Sequence, residues 1–201
     1  MRVLIPVINR MKTGMLMLSL LLCLLLLAAA PVSAVSDSIP AEVTVVDTVD
    51  LNRYIGKWYE IASIPVWFQK ACDSGSTAEY SLTENGEINV VNRCCTREGT
   101  VKVAHGRAWI VDKSCPAKLK VGFLSVLGYY PFKGDYWIVE LDPDYRYVVI
   151  GHPERTYGWI LSRSPQLPQE TLSGIAERLK QNGYDFSVFK MTDQTEVKCS
   201  R

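Results

Sequence analysis

The sequence predicts an all-β protein: an eight-stranded up-and-down antiparallel barrel, with one C-terminal α-helix packed outside it and a short final strand. Three observations lead there. Short runs of β-branched and aromatic residues recur from Lys57 to Ser162, divided by Gly, Asn and Asp turn signals. The pattern then changes to a helical one after Pro168. The series also opens on Gly56-Lys57-Trp58-Tyr59-Glu60-Ile61, where a glycine admits a sharp turn and two large rings demand a lid.

The strands are expected at about 57–64, 76–83, 88–97, 100–111, 117–124, 135–141, 145–150 and 156–162. Glu84-Asn85-Gly86-Glu87 is a strong hairpin turn, Glu98-Gly99 another, and Asp142-Pro143-Asp144 a third. Turns this short favour neighbours in meander order, and a closed barrel removes the exposed sheet edges; a two-sheet sandwich is the alternative. The helix is expected over about 168–181, with Leu172, Ile175, Ala176 and Leu179 on one face and Asn182-Gly183 as its stop. A single apolar face implies docking on the barrel's outer wall. Phe186 to Met191 reads as the last strand.

Residues 1–34 read as a signal peptide. Arg2, Arg10 and Lys12 precede an apolar run from Gly14 to Ala30, and Val32-Ser33-Ala34 supplies the small residues for cleavage. Residues 35–45 read as a linker and 46–199 as the barrel domain. The apolar run is short for a membrane span. Leu20-Leu21-Leu22 before Cys23 lack the small residue that lipid acylation requires, so an exported periplasmic or secreted protein without a lipid anchor is expected. The leader holds three basic and no acidic residues, so its removal turns a net charge of +1 into −2. That balance offers no basic face for nucleic acid and no polybasic membrane patch.

Catalytic signatures are absent from the sequence: no nucleophile elbow, no phosphate-binding glycine loop, no Cys-x-x-Cys pair, and His105 and His152 apart from the cysteines. No enzyme activity, cofactor or metal is expected. Beyond Cys23 the chain carries Cys72, Cys94, Cys95, Cys115 and Cys199. Export implies an oxidising compartment in which disulfides persist, and an odd number leaves one thiol over.

Three separated pieces come together: Gly56-Lys57-Trp58-Tyr59-Glu60, the turn Leu141-Asp142-Pro143-Asp144-Tyr145-Arg146-Tyr147, and Trp159-Ile160-Leu161-Ser162-Arg163. Together they resemble the three motifs of the lipocalin family, over about Val46 to Cys199. The bacterial lipocalin and apolipoprotein D branch is the most similar, through Lys57 to Ala62, Ala117 to Val121 and Gly134 to Ile138. Arg146 stands where that family often has Asn. The resemblance implies that Gly56, Trp58, Asp142, Tyr145 and Arg163 are structural, with Arg163 laid over Trp58 to stopper one end. It also implies a Cys72–Cys199 bridge. Cys115 then pairs with one of Cys94 and Cys95; these point to opposite faces, and outward-facing Cys95 is our choice, which leaves Cys94 free inside.

Strand parity and the resemblance nominate Ala78, Tyr80, Asn92, Cys94, Phe123, Tyr136, Tyr147 and Trp159 as ligand-binding residues. In the third strand Ile88, Val90, Asn92, Cys94 and Thr96 share the face without arginines, taken as interior. The implied function is carriage or storage of a small hydrophobic or amphipathic molecule, such as a fatty acid or lysophospholipid, by a monomer or weak dimer. The loop Gly128 to Phe132 offers a peripheral membrane contact. The competing expectation is an enzyme that uses Cys94 as a reactive thiol.

Overall fold

The computed structural model describes residues 42–195 and 199, all within the second of the chain's two units, 39–201. The expected leader, Cys23 and most of the linker lie outside the described residues. The strands are β1 (Gly56–Ser63), β2 (Cys72–Leu82), β3 (Ile88–Thr96), β4 (Val101–Ile110), β5 (Lys118–Gly122), β6 (Gly134–Leu141), β7 (Tyr147–Gly151) and β8 (Gly158–Ser162). Each pairs antiparallel with the next, and β1 pairs with both β8 and β2, which closes an eight-stranded barrel. Helix α1 (Leu51–Tyr54) precedes β1, and α2 (Gln169–Gln181) follows β8.

Alternation places two apolar groups on the two faces of this wall. Inside lie Trp58, Ala78, Tyr80, Ile88, Val90, Ala108, Leu119, Ile138, Val148, Ile150 and Leu161. Outside, Ile61, Val149 and Ile160 pack against Leu172, Ile175 and Leu179 of α2, with Tyr184 and Phe189 beyond. The helix stops where Gly183 adopts φ +80°, which a residue with a Cβ rarely does.

Several boundaries differ from the sequence-based expectation for local reasons. Asp50 caps α1 by accepting from Asn52 N at 2.9 Å, so the polar segment before β1 makes one helical turn. β2 begins at Cys72 because two register shifts, around Ser74 and Gly75, absorb residues that read as loop. β5 ends at Gly122 because the Phe132 carbonyl and the Tyr130 ring fill the space a side chain would need there. The expected last strand is mostly a 3-10 turn over Phe186–Val188, since Phe186 and Phe189 stack three residues apart in the outer cluster; only β9 (Lys190–Met191) is extended.

β9 and the tail fill the place where β1 and β2 diverge. β9 pairs with Ala62 and Ser63, and Gln194 Nε2 donates to the carbonyls of Glu60 at 2.8 Å and Ser76 at 2.7 Å. The tail then reaches β3 through a Cys95–Cys199 disulfide, and the second disulfide is Cys72–Cys94. Both expected pairings, Cys72–Cys199 and Cys95–Cys115, are therefore corrected. Cys72 and Cys94 share the inward face of β2 and β3, with Cα atoms 5.5 Å apart. Cys115 sits beyond the far end of β4 from Cys94 and Cys95, which pair with Lys102 and Val101. That is about 30 Å along the strand, far beyond a disulfide's reach. Cys115 is the free cysteine among the described residues.

Candidate functional site

One end of the barrel is stoppered. Arg163, just after β8, lies with its guanidinium carbon 3.7 Å from the Trp58 ring centroid. Its Nη1 donates to the Lys57 carbonyl at 2.9 Å, and its Nη2 to those of Arg53, Tyr54 and Ile55 at 2.6, 3.0 and 3.0 Å. Trp58 Nε1 donates to the Tyr54 carbonyl at 2.8 Å. Gly56 turns at φ +98°, and a Cβ there would stand 3.4 Å from Arg163 Nη1.

The β6–β7 turn buttresses this end. Buried Asp142 accepts from Arg146 Nε at 2.9 Å, Arg146 Nη2 at 2.7 Å and two backbone N–H groups. Arg146 beside it holds the Asp142 carboxyl below the usual aspartate range. Arg146, which stands where the resemblance expected an Asn, thus holds the turn through its own side chain. Tyr145 adopts φ +59°, accepts from Asp50 N at 2.8 Å and lies under the Arg53 guanidinium.

Above the stopper the lumen is lined from several strands. Tyr136 is central to a trio, its hydroxyl 2.6 Å from that of Tyr54 and 3.0 Å from that of Tyr80. Burial pushes all three hydroxyls up, Tyr80 to about 12. Ala78 shares the inward face of β2 with Ser76, and Ala104, Gly106 and Ala108 share that of β4, so two walls carry small side chains. Asn92 stands among them, its buried Oδ1 without a hydrogen-bond partner among the described residues. Phe123 leaves β5 to cover Gly106 from within.

Trp159 donates its Nε1 to Gln69 Oε1 at 3.1 Å, and Gln69 Nε2 donates to Glu60 Oε2 at 2.9 Å. Gln69 belongs to a 3-10 turn over Trp67–Gln69 in the β1–β2 loop, which is thereby tied to the β8–β1 wall. Glu60 is buried and also accepts from Ser63 Oγ at 3.1 Å and Thr192 Oγ1 at 2.7 Å.

Of the nominated ligand-binding residues, Ala78, Tyr80, Asn92, Cys94, Phe123, Tyr136 and Trp159 all come to the lumen or its rim. Tyr147 does not. It stands outside under α2, donating to Glu140 Oε1 at 2.7 Å and accepting from Arg178 Nη2 at 3.2 Å. Val148 and Ile150 take the inward positions of β7 instead. A parity error of one residue moves a side chain to the opposite face. Burial, then Glu140, raises the Tyr147 hydroxyl to about 12. Cys94, expected as a free interior thiol, is half of a disulfide and has no thiol to react.

Sequence reasoning passed over Tyr54, Glu60 and Gln69. Glu60 shares the Trp58 face of β1, a signal that was present. Gln69 lies in an irregular loop that carries no period to read. A separate cleft of about 440 Å³ lies on the outer wall, lined by Glu87, Arg107, Trp109, Tyr129, Tyr130 and Lys133. Its polar groups largely satisfy one another: Glu87 takes Arg107 Nη1 and, at 2.8 Å, Trp109 Nε1, and Lys133 Nζ lies 4.3 Å over the Trp109 ring. Among the described residues no three His, Cys, Asp or Glu side chains cluster closely enough to hold a metal.

The stoppered barrel with its outer helix matches known proteins in sequence and shape. The family model described as "Lipocalin-like domain" matches residues 49–194. Temperature-induced lipocalin-1 of Arabidopsis thaliana is 40% identical over 159 residues, 78% of this chain and 85% of that one. Outer membrane lipoprotein Blc of Escherichia coli K12 is 35% identical over 164 residues, 81% and 89% of the two chains. Apolipoprotein D of Bos taurus is 36% identical over 159 residues, 76% and 80% of the chains. Among solved structures, insecticyanin of the tobacco hornworm Manduca sexta superposes with a TM-score of 0.62 at 24% identity, covering 81% of this chain and 89% of that one. A family match spanning the whole barrel, with relatives this close in plant, bacterium and mammal, settles kinship: the chain belongs to the lipocalin family.

Proposed function

We propose that the chain binds and carries or stores a small hydrophobic or amphipathic molecule, of the fatty-acid or lysophospholipid kind, in the barrel lumen. The observation that carries this reading is the make-up of the lumen wall. Small side chains on β2 and β4 (Ser76, Ala78, Ala104, Gly106 and Ala108) line the interior with the larger Tyr80, Tyr136 and Trp159, and with an Asn92 Oδ1 that has no partner among the described residues. A wall of that kind combines apolar area with a few polar tips, as a pocket for an amphiphile requires. Binding then follows from desolvation, at about 25 cal/mol per Å² of apolar surface removed from water. Lipocalins in general are binding proteins for such molecules, and no bond is made or broken.

Two disulfides support a destination outside the cytoplasm, where such bonds persist. Residues 1–34 act in this reading as a cleaved leader, with the periplasm or the medium as destination. The loop after β5 exposes Leu124, Val126, Leu127, Tyr129 and Phe132, with Leu127 fully accessible. Such a patch supports transient contact with a lipid surface.

Fluorescence titration of the purified protein with a fatty-acid probe tests the reading. Saturable binding at one site, lost when Ala78 or Ala108 is enlarged to Trp, is expected. Absence of any saturable signal overturns it. Native mass spectrometry of protein taken from its source identifies the bound molecule directly.

A further inference from the structure

The β5–β6 loop folds back on the outer wall of the barrel. Gly122 permits this, since a Cβ there would stand 2.9 Å from the Phe132 carbonyl and 3.2 Å from the Tyr130 ring. Val126 and Tyr129 exchange backbone hydrogen bonds at 2.8 and 2.9 Å around Leu127 and Gly128, whose φ angles are +51° and +82°. The loop is therefore a closed hairpin of defined shape. It sets the Tyr130 ring against Trp109 of β4, with centroids 5.1 Å apart, and Lys133 Nζ 4.3 Å from the centroid of the same indole. Arg107 and Trp109 face outward on β4, alternating with inward Ala108. Loop and strand together enclose the outer cleft of about 440 Å³, an ordinary size for a small-molecule site.

The hydrogen-bonding groups of this cleft are unbalanced. Its one carboxylate, Glu87, is fixed by its backbone N–H to Thr83 Oγ1 at 3.0 Å, and each of its oxygens already has a donor: Arg107 Nη1 on Oε2 and Trp109 Nε1 on Oε1. Donors are in surplus. Arg107 Nη2 has no partner among the described residues, and Lys133 Nζ has neither a carboxylate nor a hydrogen-bond acceptor among them. Two cations against one carboxylate leave the cleft net positive. A cationic guest is disfavoured, because Lys133 already covers the Trp109 ring and Glu87 is spent. We propose that the cleft is a binding site outside the barrel for a small planar aromatic acid, its carboxylate taken by Lys133 and Arg107 and its ring by Tyr129 and Tyr130. An ammonium and a free guanidinium N–H both gain most from an anionic oxygen, and the exposed Tyr129 ring and the half-buried Tyr130 ring offer aromatic surface beside them. The site is independent of the lumen and of what the lumen holds.

The test is a two-dimensional NMR titration of the isotope-labelled protein, disulfides intact, read at the indole N–H signals of its five tryptophans. The Trp109 signal is assigned by its loss in Trp109→Phe. The ligands are naphthalene-2-carboxylate, the neutral naphthalen-2-ylmethanol and the saturated decahydronaphthalene-2-carboxylate. Naphthalene-2-carboxylate is expected to move the Trp109 signal saturably, about tenfold more tightly than the alcohol, the worth of a hydrogen bond to a charged group near solvent. It is expected to bind about threefold more tightly than the saturated acid, the worth of one aromatic contact. Added salt should shrink the first ratio. Lys133 is exposed and makes no hydrogen bond among the described residues, so its replacement spares the fold. Lys133→Met is expected to erase the advantage of acid over alcohol, and Lys133→Arg to keep it. Equal binding of acid and alcohol by the wild type, or an unchanged ratio in Lys133→Met, overturns the anion site. Equal binding of the aromatic and saturated acids overturns the assignment to aromatic acids. Movement of the Trp159 signal with Trp109 still puts the acid in the barrel instead and overturns the proposal while leaving the lumen reading standing.

Discussion

Arg163 and Trp58 close the barrel as one unit: the guanidinium lies 3.7 Å from the indole's centroid while donating to the carbonyls of Lys57, Arg53, Tyr54 and Ile55. A planar fork does both things at once. It covers the ring face and it satisfies carbonyls that α1 and the start of β1 leave without strand partners. The stopper is thus an alternative to filling the barrel end with apolar side chains.

Arg163→Lys is expected to lower unfolding stability by about 2 kcal/mol, because a point-like ammonium cannot hold four carbonyls and a ring face together. Arg163→Met is expected to cost about 3 kcal/mol. Urea denaturation followed by tryptophan emission measures both. A lysine variant as stable as the wild type would show that charge alone, rather than the fork, closes the end.

Asp142 gives a pH signature of known sign. Its folded-state pKa is held down by Arg146, so its contribution is present above the unfolded value and is lost as pH falls through the folded one. Asp142→Asn is therefore expected to cost about 2 kcal/mol at neutral pH. The gap to wild type should narrow progressively below about pH 4. Denaturation curves at a series of acidic pH values read this directly, and a gap independent of pH would exclude the ion pair as its source.

How much of this was legible in the sequence depended on whether a residue's place follows from local period or from a distant partner. The eight strands, the outer helix and the inward set on β3 followed from alternation and from Asn-Gly and Asp-Pro turns. Tyr147 did not, since its face depends on where Tyr145 turns left-handed, two residues earlier, and on the shifted β6–β7 register. The disulfides failed for the same reason on a larger scale. Cys94 was correctly turned inward, yet its partner depends on two bulges that carry β2 up to Cys72, and on a tail that crosses from β9 to β3. Gln69 reaches Trp159 and Glu60 from an irregular loop, where no periodicity exists to be read.

The tyrosine trio predicts behaviour at high pH. Burial raises the Tyr54, Tyr80 and Tyr136 pKa values, so the folded state resists their ionisation. A raised folded value means that stability is full below the ordinary tyrosine pKa of about 10 and is lost as pH rises beyond it. Spectrophotometric titration is expected to show a late tyrosine fraction ionising with the loss of fold. Tyr136→Phe removes the hydroxyl that joins the other two and should cost about 1–2 kcal/mol at neutral pH. Ionisation of all ten tyrosines in one step near the ordinary value, with the fold intact, would contradict the buried trio.

The disulfide pattern makes the sharpest prediction, because Cys94 and Cys95 are adjacent yet bond to different partners. Trypsin cleaves after Lys70, Arg93, Arg97, Lys113, Lys118 and Lys198, so both cysteines leave on one four-residue peptide, 94–97. Digestion without reduction should then release a single assembly of three peptides, 71–93, 94–97 and 199–201, while peptide 114–118 is alkylated at Cys115 beforehand. Had Cys72 joined Cys199 and Cys95 joined Cys115, two separate pairs would appear instead, 71–93 with 199–201 and 94–97 with 114–118, and no peptide would bridge them. Energetics give a second reading of the same pattern. The Cys95–Cys199 bridge spans 104 residues and pins the tail that seals the β1–β2 gap. Cys199→Ser should therefore cost about 4 kcal/mol on the loop-entropy estimate. The same change should release the tail to proteolysis at Lys190, and a tail that stays protected would place its anchoring in Gln194 and β9 rather than in the bridge.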